Sequence, residues 1–194
     1  MMQAWAKPLP ALLVFCALRP GGPCLSRPAL SRPALSRPVP AFTLPDLGGK
    51  PRALADFRGR PVALFFFCDC DSCRRCALAW GEAQRSGALP PLPSVIVFSG
   101  DAAAAKRFRE EAGLDAAQTT MLTDPTDRIA DRYQAPVCPR VFVLNAAGGL
   151  RYTNNERGTD PQTMPAAVLV SRIVSAARAA QAPPPGPRKP THAP

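Results

Sequence analysis

Two short apolar runs, each followed by a helix-like segment, and a later pair of alternating segments joined by a Gly-Gly turn predict an α/β sandwich. Its sheet is central and mixed, and helices flank it. The first run, VALFFF at 62–67 after Pro61, is short and aromatic-rich and reads as a fully buried strand. The second, SVIVFS at 94–99, has the same character. Strand, helix, strand, helix in this order implies parallel pairing through right-handed crossovers.

The domain starts near Pro40 and runs to about residue 180. AFTL at 41–44, the turn Gly48-Gly49-Lys50 and RAL at 52–54 read as a short hairpin that leads through residues 56–60 into the first buried strand. The helix after that strand is ended by Gly87 and Pro90-Pro91. Asp101 caps the next helix, residues 102–112, which Gly113 closes. Met121-Leu122 adds a short edge strand, followed by Asp124-Pro125 and a short helix to Tyr133. Residues 141–145 and 150–153 form a hairpin around Ala146-Ala147-Gly148-Gly149. A last helix spans about 164–180, started near Asp160-Pro161 or Thr163, with Val168, Leu169, Ile173, Val174 and Ala177 as the face for the sheet.

The ends read differently. Most of the 25 prolines of the 194-residue chain sit there, and such stretches build no core. Lys7 precedes a ten-residue apolar run, LPALLVFCAL at 9–18, closed by Arg19. That is the length of a signal-peptide core and too short to span a bilayer, so residues 1–24 are expected to be an export leader. LSRPA, LSRPA and LSRPV follow within residues 25–39 as an extended linker, and the Pro-rich residues 181–194, with the single histidine His192, form a tail.

The net charge of +10 is concentrated in these ends, with +5 in residues 1–39 and +2 in the tail. The domain, with 17 basic and 14 acidic residues, is close to balanced. It shows no basic stripe interleaved with aromatics, which excludes a nucleic-acid reading. The basic linker instead suits proximity to an anionic membrane surface.

The chemistry lies where the first buried strand hands over to its helix. Cys68, Cys70, Cys73 and Cys76 fall within nine residues, CDCDSCRRC. Asp71 and Ser72 are candidate caps for the helix, whose N-terminus favours a thiolate. In a redox CxxC the first thiol lies just before the helix and the second in its first turn, which favours Cys70 and Cys73 as the pair. Cys73 and Cys76, one turn apart on one helix face, are the runner-up. Arg74 and Arg75 would lower a nearby thiol pKa and Asp69 and Asp71 would raise it, so the local charges roughly cancel and the helix terminus decides. Without an exported leader five cysteines remain, an odd number, so one stays unpaired unless it binds a metal or another chain.

The run PAFTLPDLGGKPRALADFRGRPVALFFF, the cysteine cluster, SVIVFS and TDPTDRIADRYQAPVCPRVFVLNAAGGLRY together resemble the thioredoxin-like redoxins. That group joins the alkyl hydroperoxide reductase/thiol-specific antioxidant (AhpC/TSA) proteins to the exported thiol-disulfide oxidoreductases. The likeness covers about residues 40–178 and implies a thioredoxin-like three-layer sandwich. It also implies that Pro139 is the cis-proline that precedes a sheet strand and faces the redox cysteines, leaving a backbone edge for an extended peptide, and that Cys138 lies against the pair. Two departures stand out. The tryptophan usual before CxxC is replaced by Cys68-Asp69. Both peroxidase marks are out of register, because Ser72 to Cys76 is one residue longer than Thr-x-x-Cys and Arg140 lies two rather than three residues before Phe142.

The resemblance implies thiol-disulfide exchange with protein thiols or disulfides. Cys70 attacks, Cys73 resolves, Cys138 and Pro139 contact the substrate, and a separate reductant or oxidant resets the pair. The reactive disulfide needs no bound cofactor. Two alternatives remain open: a thiol peroxidase using Cys76 or Cys73 through a sulfenic acid, and a metal-binding module drawing on Cys68, Cys70, Cys73, Cys76 and Cys138. Ligation is expected to require rearrangement of the short loop at the helix entry.

Overall fold

The computed structural model describes residues 38–135, 137–155, 160 and 162–181. The leader, all of the linker but its last two residues and the tail after Gln181, with Cys16, Cys24 and His192, lie outside the described residues; Gln181 itself belongs to the last helix.

The chain runs through β1 (Thr43–Pro45), β2 (Pro51–Ala53), a 3-10 turn (Leu54–Phe57), β3 (Val62–Phe67) and α1 (Asp71–Arg85). It continues through β4 (Ser94–Phe98), α2 (Ala102–Glu111), β5 (Thr119–Thr123) and α3 (Arg128–Arg132), and ends with β6 (Arg140–Leu144), β7 (Leu150–Thr153) and α4 (Ala166–Gln181). β1 and β2 pair as an antiparallel hairpin, in which Asp46 accepts the Gly48 and Lys50 amides and Gly49 takes a positive φ of 79°. The main sheet has the order β5-β4-β3-β6-β7. β3 pairs in parallel with β4 and antiparallel with β6, so the sheet is mixed and β5 is an edge, as the sequence implies.

Strand periodicity sorts the core into two layers. Ala63, Phe65, Phe67, Ile96, Phe98, Val141 and Val143 face α1, α2 and α4. Val62, Leu64, Phe66, Val95, Val97, Phe142 and Leu144 face the hairpin, the 3-10 turn and α3. This is a thioredoxin-like three-layer arrangement. On α4 the buried face is Leu169, Ile173 and Ala177, with Val170 packed beside it. Val168, expected on that face, is exposed, because the helix is rotated to point Val170 inward.

α1 is anchored at its far end. Trp80, fully buried, donates its indole N–H to Ser94 at 3.2 Å, and Gln84 donates to Thr119 at 3.0 Å while accepting the Asp115 amide at 3.1 Å. These bonds tie the helix to the first residues of β4 and β5 and leave its N-terminus at the opposite end of the strands, beside the end of β3. Between them α1 passes so close to the end of α2 that a Cβ on Gly81 would sit 2.4 Å from the Ala112 carbonyl oxygen. Gly81→Ala is therefore expected to lower unfolding free energy by roughly 1–3 kcal/mol, read by urea denaturation. An unchanged midpoint would show that the two helices are not held at this distance.

Candidate active site

β3 buries every residue from Val62 to Phe67 and ends against Cys68. Two residues later α1 begins, with Cys70 as its N-cap in extended conformation and no side-chain cap bond. Asp71 is thus the first helical residue, and neither Asp71 nor Ser72 caps the helix as expected. Starting one residue earlier puts a sulfur where a carboxylate or hydroxyl usually stands. Ser72 instead donates to the Gln162 carbonyl at 3.4 Å and accepts from Arg75 at 3.0 Å. Cys73 and Cys76 lie on the inward face of α1, both buried, while Cys70 remains partly exposed.

Cys138 comes from the other side of the sheet's centre. Its bond to Pro139 is cis, and the segment is fixed by Asn154, a buried side chain with no counterpart among the sequence candidates. The Asn154 carboxamide donates to the Pro139 carbonyl at 2.8 Å and accepts the Val141 amide at 2.9 Å, so one side chain clamps both sides of the entry to β6. One of two adjacent asparagines in the polar run after β7, Asn154 carries no pattern that would single it out. The clamp holds the Cys138 sulfur 2.7 Å from that of Cys68 and 3.6 Å from that of Cys70. Cys68 lies 3.9 Å from Cys73.

Cys68, Cys70, Cys73 and Cys138 therefore converge, with all four sulfurs within 4.8 Å of one another. Cys76 is not part of this group. All five cysteines of the described residues are free thiols.

The electrostatics are set by the sulfurs themselves. Hydrogen bonding from Cys68, and then from Cys73, pulls the Cys138 thiol well below its ordinary value against the opposing effects of burial and Cys70. Cys73 is pushed up, first by hydrogen bonding to Cys138, then by Cys68 and by burial. The group thus holds one proton-poor sulfur, Cys138, supported by neighbouring thiols. The charges of Arg74 and Arg75 are taken up locally. Arg74 is paired with Asp69 and Glu111, at 2.6 Å each, and Arg75 with Ser72. Arg140, buried on β6 opposite Phe66, has no hydrogen-bond partner for Nε or Nη1 among the described residues, and desolvation lowers its pKa. A cavity of about 290 Å³ opens beside the group, lined by Cys68, Cys138, Phe66, Ser99, Asp127 and Asp131 among others.

A thiol cluster at the β3–α1 junction, beside a cis-proline at the entry to β6, is the setting in which comparison with known proteins is informative. The sequence model of the AhpC/TSA family matches residues 35–153. The chain belongs to the AhpC/TSA family. This AhpC/TSA chain is 29% identical over 133 residues to peroxiredoxin Q, chloroplastic, of Oryza sativa subsp. japonica, covering 61% of its own length and 58% of the relative's. It is 30% identical over 132 residues to peroxiredoxin Q, chloroplastic, of Triticum aestivum, covering 61% and 57%. It therefore spans less than two thirds of these relatives. Among solved structures it is similar to a secreted Mycobacterium tuberculosis disulfide oxidoreductase homologous to E. coli DsbE, with a TM-score of 0.54, 25% identity, and coverage of 69% of this chain and 95% of that one. It shares its fold with the peroxidoxin BcpB of the same organism, with a TM-score of 0.60 at 18% identity, covering 75% and 97%.

Cys76 gives a direct check on this geometry. Burial pushes its thiol up to about 12 from an ordinary 9.0. Unfolding restores the ordinary value, so between these pH values the unfolded chain has lost a proton that the folded chain retains. Stability contributed by this group is present below pH 9.0 and falls as pH rises toward 12. Denaturation curves from neutral to alkaline pH should show a steeper loss for the parent chain than for Cys76→Ala. Parallel slopes would place Cys76 in contact with water.

Proposed function

We propose that this AhpC/TSA chain is a thiol-disulfide oxidoreductase that exchanges disulfides with protein substrates through Cys70 and Cys73. The carrying observation is positional. Cys70 is partly exposed at the N-terminus of α1, Cys73 is buried one turn on, and their sulfurs lie within 4.8 Å of each other. Cys70 stands at the N-cap of α1, the partly exposed position from which a thiol can reach a substrate disulfide. Attack by that thiolate on a substrate disulfide forms a mixed disulfide and releases one substrate thiolate. Attack by Cys73 then releases the second and leaves the Cys70–Cys73 disulfide; the reverse sequence oxidises a substrate dithiol. An external dithiol or disulfide of opposite poise completes the cycle.

A protein substrate is favoured by the surface around the site. Val137, next to Cys138, is 39% exposed, and among the described residues no backbone hydrogen bond engages Val137 or Cys138. An extended peptide could pair with that backbone and cover the valine. The apolar run at 9–18 and the likeness to a secreted oxidoreductase support an extracytoplasmic setting.

The second reading, a thiol peroxidase, is supported by the peroxiredoxin Q relatives. It asks for a guanidinium beside the attacking sulfur, and among the described residues no hydrogen bond joins Arg140 to a thiol. Insulin reduction by the full chain separates the two. Cys70→Ser is expected to cut the rate by at least about tenfold, whereas Cys76→Ser keeps most of it. Equal losses in both variants, or peroxide consumption without insulin reduction, would contradict the exchange mechanism.

A further inference from the structure

Disulfide exchange needs two thiols, yet four are gathered here. We propose that, when reduced, Cys68, Cys70, Cys73 and Cys138 form a tetrahedral all-thiolate site for a borderline-soft divalent cation of the zinc class. The site does not rest on the exchange activity, because it requires only that the four thiols be reduced.

Distances carry the first part of the argument. A tetrahedral ion with zinc–sulfur bonds of about 2.3 Å sets its sulfurs ~3.8 Å apart. The Cys70–Cys138 and Cys68–Cys73 separations, 3.6 and 3.9 Å, already fit that edge. Cys68 and Cys138, at 2.7 Å, need to part by about one ångström, and no pair exceeds 4.8 Å. Small rotations about Cα–Cβ bonds supply such changes without moving the backbone.

The scaffold carries the second part. Cys68 follows the fully buried β3, Cys70 and Cys73 begin α1, and Cys138 precedes β6, where Asn154 holds the chain on both sides of Pro139. Ligands on such elements keep their spacing whether or not an ion is bound. The donor set is all sulfur. Among the described residues no imidazole or carboxylate joins the group, which disfavours calcium, magnesium and manganese and favours zinc or a similarly thiophilic ion.

The third observation is the missing cap. α1 begins without any side-chain acceptor for its first-turn amides, and the residue at the N-cap is itself a proposed ligand. Four thiolates around a dication carry a net charge of −2, and unclaimed amides at a helix N-terminus offset such charge. A thiolate cluster therefore explains why a helix preceded by Asp69 and started by Asp71 leaves its N-terminus uncapped.

Metal loading and disulfide formation exclude each other. When a substrate disulfide accepts two electrons from Cys70 and Cys73 and leaves as two thiols, taking its protons from solvent, two of the four ligands become a disulfide and the ion is released.

The test uses the full chain, reduced and kept from air, titrated with Co²⁺ and then with Zn²⁺. One equivalent of cobalt should develop the intense thiolate-to-cobalt absorption and visible bands of a tetrahedral sulfur site, and zinc should abolish them. The spectrum should persist in Cys76→Ser and in the Cys16→Ser/Cys24→Ser double variant. Cys68→Ser and Cys138→Ser, each with parent-like circular dichroism, should weaken zinc binding by at least about tenfold. Weak octahedral bands in the parent chain, which need no variant to interpret, would overturn the proposal, as would a tetrahedral spectrum that survives both substitutions. Insulin reduction measured on metal-free protein is scored separately, so loss of either property leaves the result for the other standing.

Discussion

The site depends on how β3 is held. This strand is buried along its whole length, paired in parallel with β4 on one side and antiparallel with β6 on the other. The antiparallel pairing brings the C-terminal end of β3 and the N-terminal end of β6 to the same end of the sheet. Cys68 leaves β3 there and Cys138 enters β6 there, 70 residues apart in sequence and 2.7 Å apart at sulfur. Burial of Phe65, Phe66 and Phe67, each worth about 1.5–3 kcal/mol, fixes the register on which that meeting rests. A slip by one residue would exchange the two faces of the strand and separate the thiols.

Two smaller constraints complete the arrangement. Trp80 and Gln84 anchor the far half of α1 to Ser94 and Thr119, so the first turn of the helix, with Cys70 and Cys73, cannot drift along the sheet. Asn154 plays the same part for Cys138 by occupying both hydrogen-bonding directions at the start of β6. None of these bonds goes to a sulfur. Both act by removing freedom from the backbone that carries one.

Strong local patterns made most of the architecture legible in the sequence. Two apolar runs, the Asp101 cap, the Gly113 stop and the Gly148-Gly149 turn each dictate conformation within a few residues. The nearness of Cys138 to the cluster followed only from the family resemblance, since no local pattern reports a contact across 68 residues. What escaped depends on one-residue shifts or on long-range clamps. α1 starts a residue earlier than its apparent caps suggest, α4 is rotated so that Val168 faces water, and Asn154 matters only because the β6–β7 hairpin returns it to Pro139. Cys68 stands in the sequence both in the approach to CxxC and among the possible metal ligands, and its contact with Cys138 arises from the partner that β6 delivers.

The central claim is that four sulfurs from these three segments meet at one point while Cys76 stays apart. Sulfur-anomalous diffraction from crystals of the reduced, metal-stripped chain locates every cysteine sulfur directly. The account predicts that the sulfurs of Cys68, Cys70, Cys73 and Cys138 lie within 4.8 Å of one another, with Cys76 outside the group. A Cys138 sulfur turned away from Cys70 and Cys73 would contradict it.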